Sequence, residues 1–199
     1  MRHYRKTQRA QSELKTRERI VEATVALHGS VGPAKTTISE IAKRAGVQRL
    51  TVYRHFPSEK ALFAACSGHY MAQNPLPDLA QFAALPDPAK RLQAALGALY
   101  AYFRRNQAML ALVLRDAATV PAMKPSMQAI ERFFQGLHAV LMANRQGARE
   151  KTKHATALIA LAISFHTWHE LSKAGLSDEE ASALMSHAVE CGQAKEARG

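Results

Sequence analysis

Residues 36–56 read TTISEIAKRAGVQRLTVYRHF, and this stretch decides the fold of the N-terminal part of the chain. Thr37 and Glu40 have the spacing of a T-x-x-E capping box, in which each side chain bonds the backbone N–H of the other residue and starts a helix. Gly46 follows and can adopt the left-handed conformation that turns a chain sharply. The stretch therefore predicts two short helices joined by a tight turn, a helix-turn-helix over about residues 37–56.

The two short helices, predicted at about 38–45 and 48–56, each have an inward face and an outward face. Their inward faces share apolar anchors, which are Ile38, Ile41, Ala42, Ala45, Val47, Val52 and Phe56. The outward face of the second helix is polar and basic, with Gln48, Arg49, Thr51, Tyr53, Arg54 and His55. Arginine pairs with guanine, glutamine pairs with adenine and a threonine methyl contacts thymine, so this face has the chemistry to read the major groove. The alternative is a helical hairpin whose basic face is only solvated.

The positive charge of the chain is concentrated in its first third. The formal net charge is +11, and residues 1–60 carry 13 Lys and Arg against 5 Asp and Glu, whereas residues 61–199 carry 14 against 11. This distribution is typical of a polyanion-binding module joined to a near-neutral one. Basic segments also bind anionic lipid, so charge alone does not choose between DNA and a membrane surface.

The rest of the chain divides at Gly and Pro into segments of helical length, without an alternating strand pattern. The predicted fold is all-α, with further helices at 15–28, 58–71, 89–105, 107–116, 122–143, 152–173 and 178–192. Four prolines within 73–88 predict a linker or irregular connection.

We therefore divide the chain into a basic N-terminal arm at 1–14, a helix-turn-helix DNA-binding domain at 15–75, and a helical regulatory domain for ligand binding and dimerisation at 76–199. The arm carries Arg2, Arg5, Lys6 and Arg9 and is expected to be unfolded in isolation. It either enters the minor groove of DNA or is a solvated tail that adds nonspecific affinity.

Three blocks in the first 65 residues are highly specific: RERIVEA at 17–23, TISEIAKRAGV at 37–47 and VYRHFPSEKAL at 52–62. Together they resemble the DNA-binding domain of the tetracycline-repressor (TetR) family over about residues 15–65. The piece FHTW at 165–168, followed by GLS at 175–177, is also similar to the last two helices of that family.

The resemblance implies a homodimer of all-helical subunits that represses transcription from a palindromic operator in double-stranded DNA and releases it when a small-molecule effector enters the C-terminal domain. It implies phosphate contacts from Thr37, Tyr53, His55 and Lys60, and base contacts from Gln48, Arg49 and Thr51; Leu50 and Arg54 complete the expected DNA-binding set. Three positions depart from the family pattern. Gln48 stands where many members have a Ser-like cap, Leu50 stands where a small residue is frequent, and the common Lys-Glu order is reversed at Glu59 and Lys60.

The two C-terminal helices are amphipathic, and a capping box at Ser177 and Glu180 predicts the start of the second. Two such helices can pair with their symmetry mates as a four-helix bundle. The expected dimer interface comprises Leu158, Leu161, Phe165, Trp168, Leu184, Met185 and Ala188. The alternative for these residues is ordinary core within one subunit.

The middle helices are rich in large, adaptable side chains, which suit a mostly apolar ligand pocket. Its candidate lining is Tyr100, Phe103, Met109, Leu112, Met123, Phe134, His138 and Phe165. The same residues at helical spacing also suit plain core.

The sequence offers little support for catalysis or for a cofactor. His166 and His169 with Glu170 could hold a metal on one helical face, but no third ligand stands at a suitable spacing, so no metal is expected. Cys66 and Cys191 are read as two buried thiols in a reducing compartment. No run of about 18 apolar residues and no secretory signal is found, so the expected location is the cytoplasm. The rival interpretations are a helical dimerisation or ligand-binding protein whose basic face meets membranes or protein partners, and a catalytic helical domain fused to a DNA-binding module.

Overall fold

A computed structural model describes residues 2–145 and 149–194 of the chain. Within those ranges the regular structure is helical, without a strand, so the predicted all-α fold is confirmed. The helices are α1 (Arg2–His28), α2 (Ile38–Ala45), α3 (Arg49–His55), α4 (Glu59–Gln73), α5 (Leu79–Ala83), α6 (Pro88–Asp116), α7 (Lys124–Met142), α8 (Arg149–Ala162), α9 (Phe165–Lys173) and α10 (Asp178–Ala194), with short 3-10 turns at Pro33–Lys35 and Pro121–Met123.

The chain forms two compact units. The first groups residues 1–75 with residues 108–129, and the second groups residues 76–107 with residues 130–199. The end of α6 and the start of α7 therefore pack with the N-terminal helices, although the sequence assigned them to the regulatory domain. What each unit does stays a prediction.

The core of the first unit is built from α1, α2, α3 and α4. Helix α1 packs on α2 and α4, and α2 packs on α3. Thr24 on α1 is buried among apolar side chains, and its hydroxyl donates to the Ile20 carbonyl at 2.7 Å, which satisfies its polar group inside the helix. The buried cluster comprises Ile20, Val21, Ala23, Ile41, Ala42, Ala45, Val52, Phe56, Leu62 and Cys66.

Asp116, at the end of α6, holds the connection between α1 and α2. Its buried carboxylate accepts from the Ala34 N–H at 2.9 Å and from the Arg115 guanidinium at 2.7 and 3.0 Å. Arg115 also donates to the Val31 carbonyl at 3.1 Å. A side chain on Gly32, whose φ is +93°, would collide with both charged groups. We call this carboxylate with its partners Arg115 and Ala34 the Asp116 clamp. The hydrogen bonds from Arg115 and Ala34 lower the pKa of Asp116, so its carboxylate is charged at neutral pH.

Two of the predicted helix boundaries, the start of α1 and a break within α6, are wrong because the helix continues through them. Helix α1 begins at Arg2 rather than at residue 15, since residues 2–14 contain neither Gly nor Pro and are rich in good helix formers. The segment expected to be unfolded is therefore helical. The structure does not describe the side chains of the four basic residues predicted for the arm. The predicted break in α6 is also absent: one helix runs from Pro88 to Asp116, and the buried Asn106 amide within it donates to the Tyr102 carbonyl at 2.8 Å.

Two further boundaries depend on side-chain caps. The expected linker at 73–88 contains α5, which Asp78 starts by accepting from the Ala80 N–H at 2.9 Å. The expected helix at 152–173 is instead two helices, because Ser164 is extended and caps α9 by accepting from the His166 N–H at 3.2 Å. The Tyr100 hydroxyl donates to the Ala162 carbonyl at 2.8 Å, next to that break.

Aromatic rings fill the core of the second unit. Phe103 contacts the rings of Phe134, Phe165 and Trp168, with the nearest centroids 5.5 Å apart. The Trp168 indole N–H donates to Asp178 at 2.9 Å, which joins α9 to the start of α10. The predicted capping box at Ser177 and Glu180 is also confirmed, with both reciprocal hydrogen bonds formed at 3.1 and 2.8 Å.

A buried arginine ties three segments of the second unit together. The Arg91 guanidinium donates to the carbonyls of Leu85, Val140 and Ala143 at 2.6 to 3.1 Å. These carbonyls belong to the α5–α6 connection and to the end of α7, where helical carbonyls lack intrahelical partners. The cation therefore caps α7 from its neighbour.

His28, at the end of α1, is a buried titratable group of the first unit. Its ring stacks on Phe63 with centroids 4.7 Å apart, and its Nδ1 lies 3.8 Å from the Cys66 sulfur. Burial lowers the pKa of His28 to about 4, although the negative charge of Asp116 opposes this shift. The imidazole is therefore neutral in the folded protein at physiological pH.

We expect the stability of the first unit to fall in acid because of His28. An unfolded histidine binds a proton at about pH 6.5, whereas the folded one resists protonation until about pH 4. Stability is therefore retained above pH 6.5 and lost as the pH falls from 6.5 to 4, by about 3 kcal/mol. The measurement is the free energy of unfolding by urea at several pH values for the wild type and for His28→Gln.

The variant should be less stable at pH 7.5 and show a shallower loss between pH 6.5 and 4 than the wild type. His154→Gln, which changes an exposed histidine on α8, should reproduce the wild-type slope. If the free energies of unfolding of the wild type and His28→Gln fall in parallel between pH 6.5 and 4, His28 is not the source of the acid sensitivity.

Candidate nucleic-acid interface

The start of α2 is fixed by the predicted capping box, which is confirmed. The Thr37 hydroxyl accepts from the Glu40 N–H at 3.2 Å, and the Glu40 carboxylate accepts from the Thr37 N–H at 3.0 Å. The same hydroxyl also donates to Glu40 at 2.8 Å. The proton that Thr37 would give to a phosphate is therefore held by Glu40, and a phosphate contact would have to displace it.

The turn between α2 and α3 depends on Gly46, as predicted. Its φ of 64° and ψ of 41° place it in the left-handed region, and its N–H donates to the carbonyls of Ala42 and Lys43. A Cβ at this position would meet no atom within 4 Å, so the backbone conformation is what requires glycine. Arg19 on α1 donates to the Gly46 carbonyl at 3.3 Å, which ties the turn to the first helix.

Helix α3 is held by its inward residues and presents a polar outer face. Val52 is fully buried and Phe56 is nearly so, and the Arg17 guanidinium lies 4.7 Å above the Phe56 ring. The exposed residues of the predicted DNA-binding set are Thr37, Gln48, Arg49, Leu50, Tyr53, Arg54 and Lys60, whereas Thr51 and His55 are half-buried. The set that sequence patterning assigned to DNA therefore lies mainly on solvent-facing positions of α2, α3 and α4.

The ends of α3 and α4 differ in how they are capped. Gln48 stands at the N-cap of α3 in an extended conformation, and its side chain makes no capping hydrogen bond. Helix α4 begins with Ser58, whose hydroxyl accepts from the Ala61 N–H at 3.1 Å. Lys60 lies in the first turn of α4, where it projects into solvent.

His55 is less available to a phosphate than the sequence suggested. Its Nε2 is enclosed and has no hydrogen-bond partner among the described residues. Tyr53, by contrast, is exposed on the same helix.

Arg49 and Tyr53 also line a cleft of about 440 Å³ within the first unit. The cleft continues past Thr37 and Glu59 to the buried ring of His28 and to the 3-10 turn that begins at Pro121. Sequence reasoning missed both this cleft and the Asp116 clamp beside it. Their residues come from segments separated by some 80 positions, which no local pattern relates to one another.

The predicted dimer residues fall into two groups in the second unit. Leu161 on α8 and Leu184 on α10 are 54% and 47% exposed, and Leu158, Met185 and Ala188 are half-buried. Phe165 and Trp168 are buried inside the subunit, among the aromatic rings around Phe103. Trp168 is completely enclosed and so packs in the core of the subunit, where its indole N–H donates to Asp178.

The predicted ligand residues do not form one group. Met109, Leu112 and Met123 lie in the first unit, whereas Tyr100, Phe103, Phe134, His138 and Phe165 lie in the second. Tyr100 and Phe103 are buried, with ring centroids 6.2 Å apart, and pack in the core of the second unit. His138 is half-buried beside the Thr156 carbonyl, 3.1 Å from its Nε2.

The two cysteines differ from each other. Cys66 is buried, and burial raises the pKa of its thiol to about 12, which keeps it protonated. Cys191 is exposed on α10, with its sulfur 3.3 Å from His187 Nε2, so the prediction of two buried thiols is wrong for this residue. In residues 2–145 and 149–194, no group of three or more His, Cys, Asp and Glu side chains could hold a metal ion. No helix in the described ranges is long and apolar enough to cross a bilayer.

Comparison with known proteins finds similarity to bacterial transcriptional regulators. Residues 20–66 match the model of bacterial regulatory proteins of the tetR family, and this segment includes α2, α3 and the turn at Gly46. The chain is 29% identical over 120 residues to the uncharacterized HTH-type transcriptional regulator YerO of Bacillus subtilis. The match covers 59% of the chain and 40% of YerO, so the chain spans less than half the length of that relative.

Two solved structures extend the similarity to the fold of nearly the whole chain. A TetR-like transcriptional regulator from Rhodococcus sp. RHA1 has a TM-score of 0.63 at 18% identity, covering 91% of this chain and 97% of that one. NalD, the secondary repressor of the MexAB-OprM multidrug efflux pump in Pseudomonas aeruginosa, has a TM-score of 0.63 at 20% identity, covering 92% of this chain and 97% of that one. At these identities the likeness establishes the fold.

We expect Gly46→Ala to destabilise the first unit by about 1–2 kcal/mol, because an alanine in the left-handed region is strained even where space is open. The matched control is Gly68→Ala. This glycine lies inside α4 with open space around its Cβ, so alanine should stabilise the helix by about 0.5–1 kcal/mol. Thermal and urea unfolding measure both effects; equal shifts of the same sign would contradict a special role for the turn.

Proposed function

We propose that the chain is a dimeric repressor of the TetR family that binds a palindromic operator in double-stranded DNA and leaves it when a small molecule binds; the match of residues 20–66 to the tetR family model supports this proposal. The observation that carries the proposal is the orientation of α3. Its apolar anchors Val52 and Phe56 are buried and fix its position on the core, while Arg49, Tyr53 and Arg54 are exposed.

The chemistry of this outer face suits a major groove. An exposed arginine can bond the two acceptors of guanine, and the exposed Gln48 at the start of α3 can bond the acceptor and donor of adenine. Tyr53 and the ammonium of Lys60 are suited to phosphate oxygens, which would fix the register of the helix along the duplex. The concentration of positive charge in the first 60 residues adds nonspecific attraction.

The proposed dimer uses the exposed surface of α8 and α10, which pack on each other within the second unit. Leu161 and Leu184 leave large apolar side chains in solvent on these helices. A second copy that covers them would give an isologous interface, as expected for a protein that binds a palindrome.

The effector site is proposed in the second unit, near Phe103, Phe134 and His138. This region combines aromatic rings with a half-buried imidazole, the mixture that binds apolar molecules with one polar group. The direction of regulation rests on the similarity to NalD, which is a repressor. We expect the protein to act in the cytoplasm and to have no catalytic activity of its own.

DNA binding is tested by footprinting and gel shift on the DNA upstream of the gene itself. A protected palindrome supports the proposal. Equal binding to every duplex and to anionic vesicles would instead favour the rival function, a helical protein whose basic face meets membranes or partner proteins.

We expect Arg49→Ala to weaken operator binding by about 1–3 kcal/mol and to relax specificity at one base pair of each half-site, because it removes a base contact. Tyr53→Phe is the companion variant. It removes a phosphate contact and should weaken binding to all sequences alike. The measurement is affinity for a library of single-base operator variants at fixed salt, and identical profiles for Arg49→Ala and the wild type would contradict the assigned role.

We expect Leu161→Glu and Leu184→Glu to weaken dimerisation by about 2 kcal/mol or more each, roughly thirtyfold in Kd, because each places an unpaired polar group in an apolar interface. The matched control is Leu14→Glu, which changes a similarly exposed leucine on α1. Analytical ultracentrifugation of the full chain measures the effect. A dimer unchanged in both interface variants would exclude the α8–α10 surface.

A further inference from the structure

Leu50 is an anomaly on the proposed DNA-reading helix. It lies in the first turn of α3 and is 76% exposed, the highest value among the exposed large apolar side chains of the described residues. Leaving a leucine in water forgoes the free energy of burying it. Single exposed leucines are common on protein surfaces, so the exposure of Leu50 is informative because of its position on the proposed DNA-facing side of α3.

The geometry of α3 aims Leu50 away from the protein. Successive residues of an α-helix are rotated by about 100°, so a residue two positions before Val52 lies about 160° from the direction in which Val52 points. Val52 is fully buried, which makes its direction the inward one. Leu50, together with Arg54 four residues later, thus occupies the stripe of α3 that lies furthest from the core.

The immediate surroundings of Leu50 argue against an apolar protein partner. Its neighbours along the chain are Gln48, Arg49 and Thr51, and the next residue on its stripe is Arg54. Protein partners usually cover contiguous apolar patches, whereas the neighbouring exposed Tyr53 carries a hydroxyl and Leu50 is the one fully apolar exposed side chain of α3. An isolated apolar side chain matches an isolated apolar group on an otherwise polar and anionic surface.

The major groove of DNA offers one such group, the C5-methyl of thymine. We infer that Leu50 is a specificity-determining residue that contacts a thymine methyl in each operator half-site. The inference rests on the proposed function, because it requires α3 to enter the groove. It adds a base preference that hydrogen-bonding residues of the same helix do not supply.

Thr51 is the competing source of a methyl contact, since its own methyl group can also meet thymine. It is half-buried and points about 100° from the inward direction, to the side of α3. The experiment therefore has to separate these adjacent residues.

The test removes one methyl group from the DNA and one side chain from the protein. After footprinting locates the operator, each thymine of a half-site is replaced singly by 2′-deoxyuridine, which keeps base pairing and loses only the C5-methyl. The full-length wild type should lose about fourfold in affinity at one thymine per half-site, the value expected for burying one methyl group. Leu50→Ala should bind the thymine operator about as weakly and show no further loss on uracil.

Three control variants make the test specific. Thr51→Ser removes the competing methyl and should keep the uracil penalty, as should Leu14→Ala, which truncates another exposed leucine. Leu50→Met retains an apolar end group and should restore most of the penalty. Circular dichroism confirms that each variant is folded.

The outcomes separate this inference from the proposed function. Absence of any protected site on DNA overturns both. A protected site with no uracil penalty in the wild type overturns the contact to Leu50 alone, and so does a penalty that persists in Leu50→Ala. A penalty lost in Thr51→Ser but kept in Leu50→Ala assigns the methyl contact to Thr51 instead.

Discussion

The burial of Val52 and Phe56 in the core formed by α1, α2 and α4 is the constraint on which the interface depends. Helix α3 has only seven residues, too few to be stable alone in water. Its conformation and its direction therefore come from these two anchors and from the turn at Gly46. Because the anchors fix which side faces inward, they also fix which side chains can approach a nucleic acid.

Buried polar groups complete the two units where apolar packing cannot. In the first unit the Asp116 carboxylate joins the end of α6 to the segment between α1 and α2, and in the second the Arg91 guanidinium caps α7. Each pairs with several donors or acceptors, which offsets the cost of removing a charge from water. These contacts specify how distant segments meet, whereas the apolar clusters supply most of the driving force.

Local sequence signals were strongest in the helix-turn-helix. The T-x-x-E box and Gly46 predicted the bounds of α2 correctly, because capping and left-handed turns involve residues a few positions apart. The same reasoning failed at Ser164, where a serine without Gly or Pro divides a predicted helix, and at Asn106, where a buried amide stays inside one. At both positions a polar side chain bonds a backbone group a few residues away, and the sequence pattern does not show whether that bond starts a new helix or forms inside a continuous one.

The sequence by itself determined the all-helical class, the position of the turn and the chemical character of the outer face of α3, including Leu50. These properties follow from periodicity and from short-range backbone chemistry. Only the tertiary structure decided that Trp168 and Phe165 are core residues, that Leu161 and Leu184 remain exposed, and that His28 and Asp116 share one region. Burial and long-range pairing depend on which segments meet, and residue types along a single helix do not encode that.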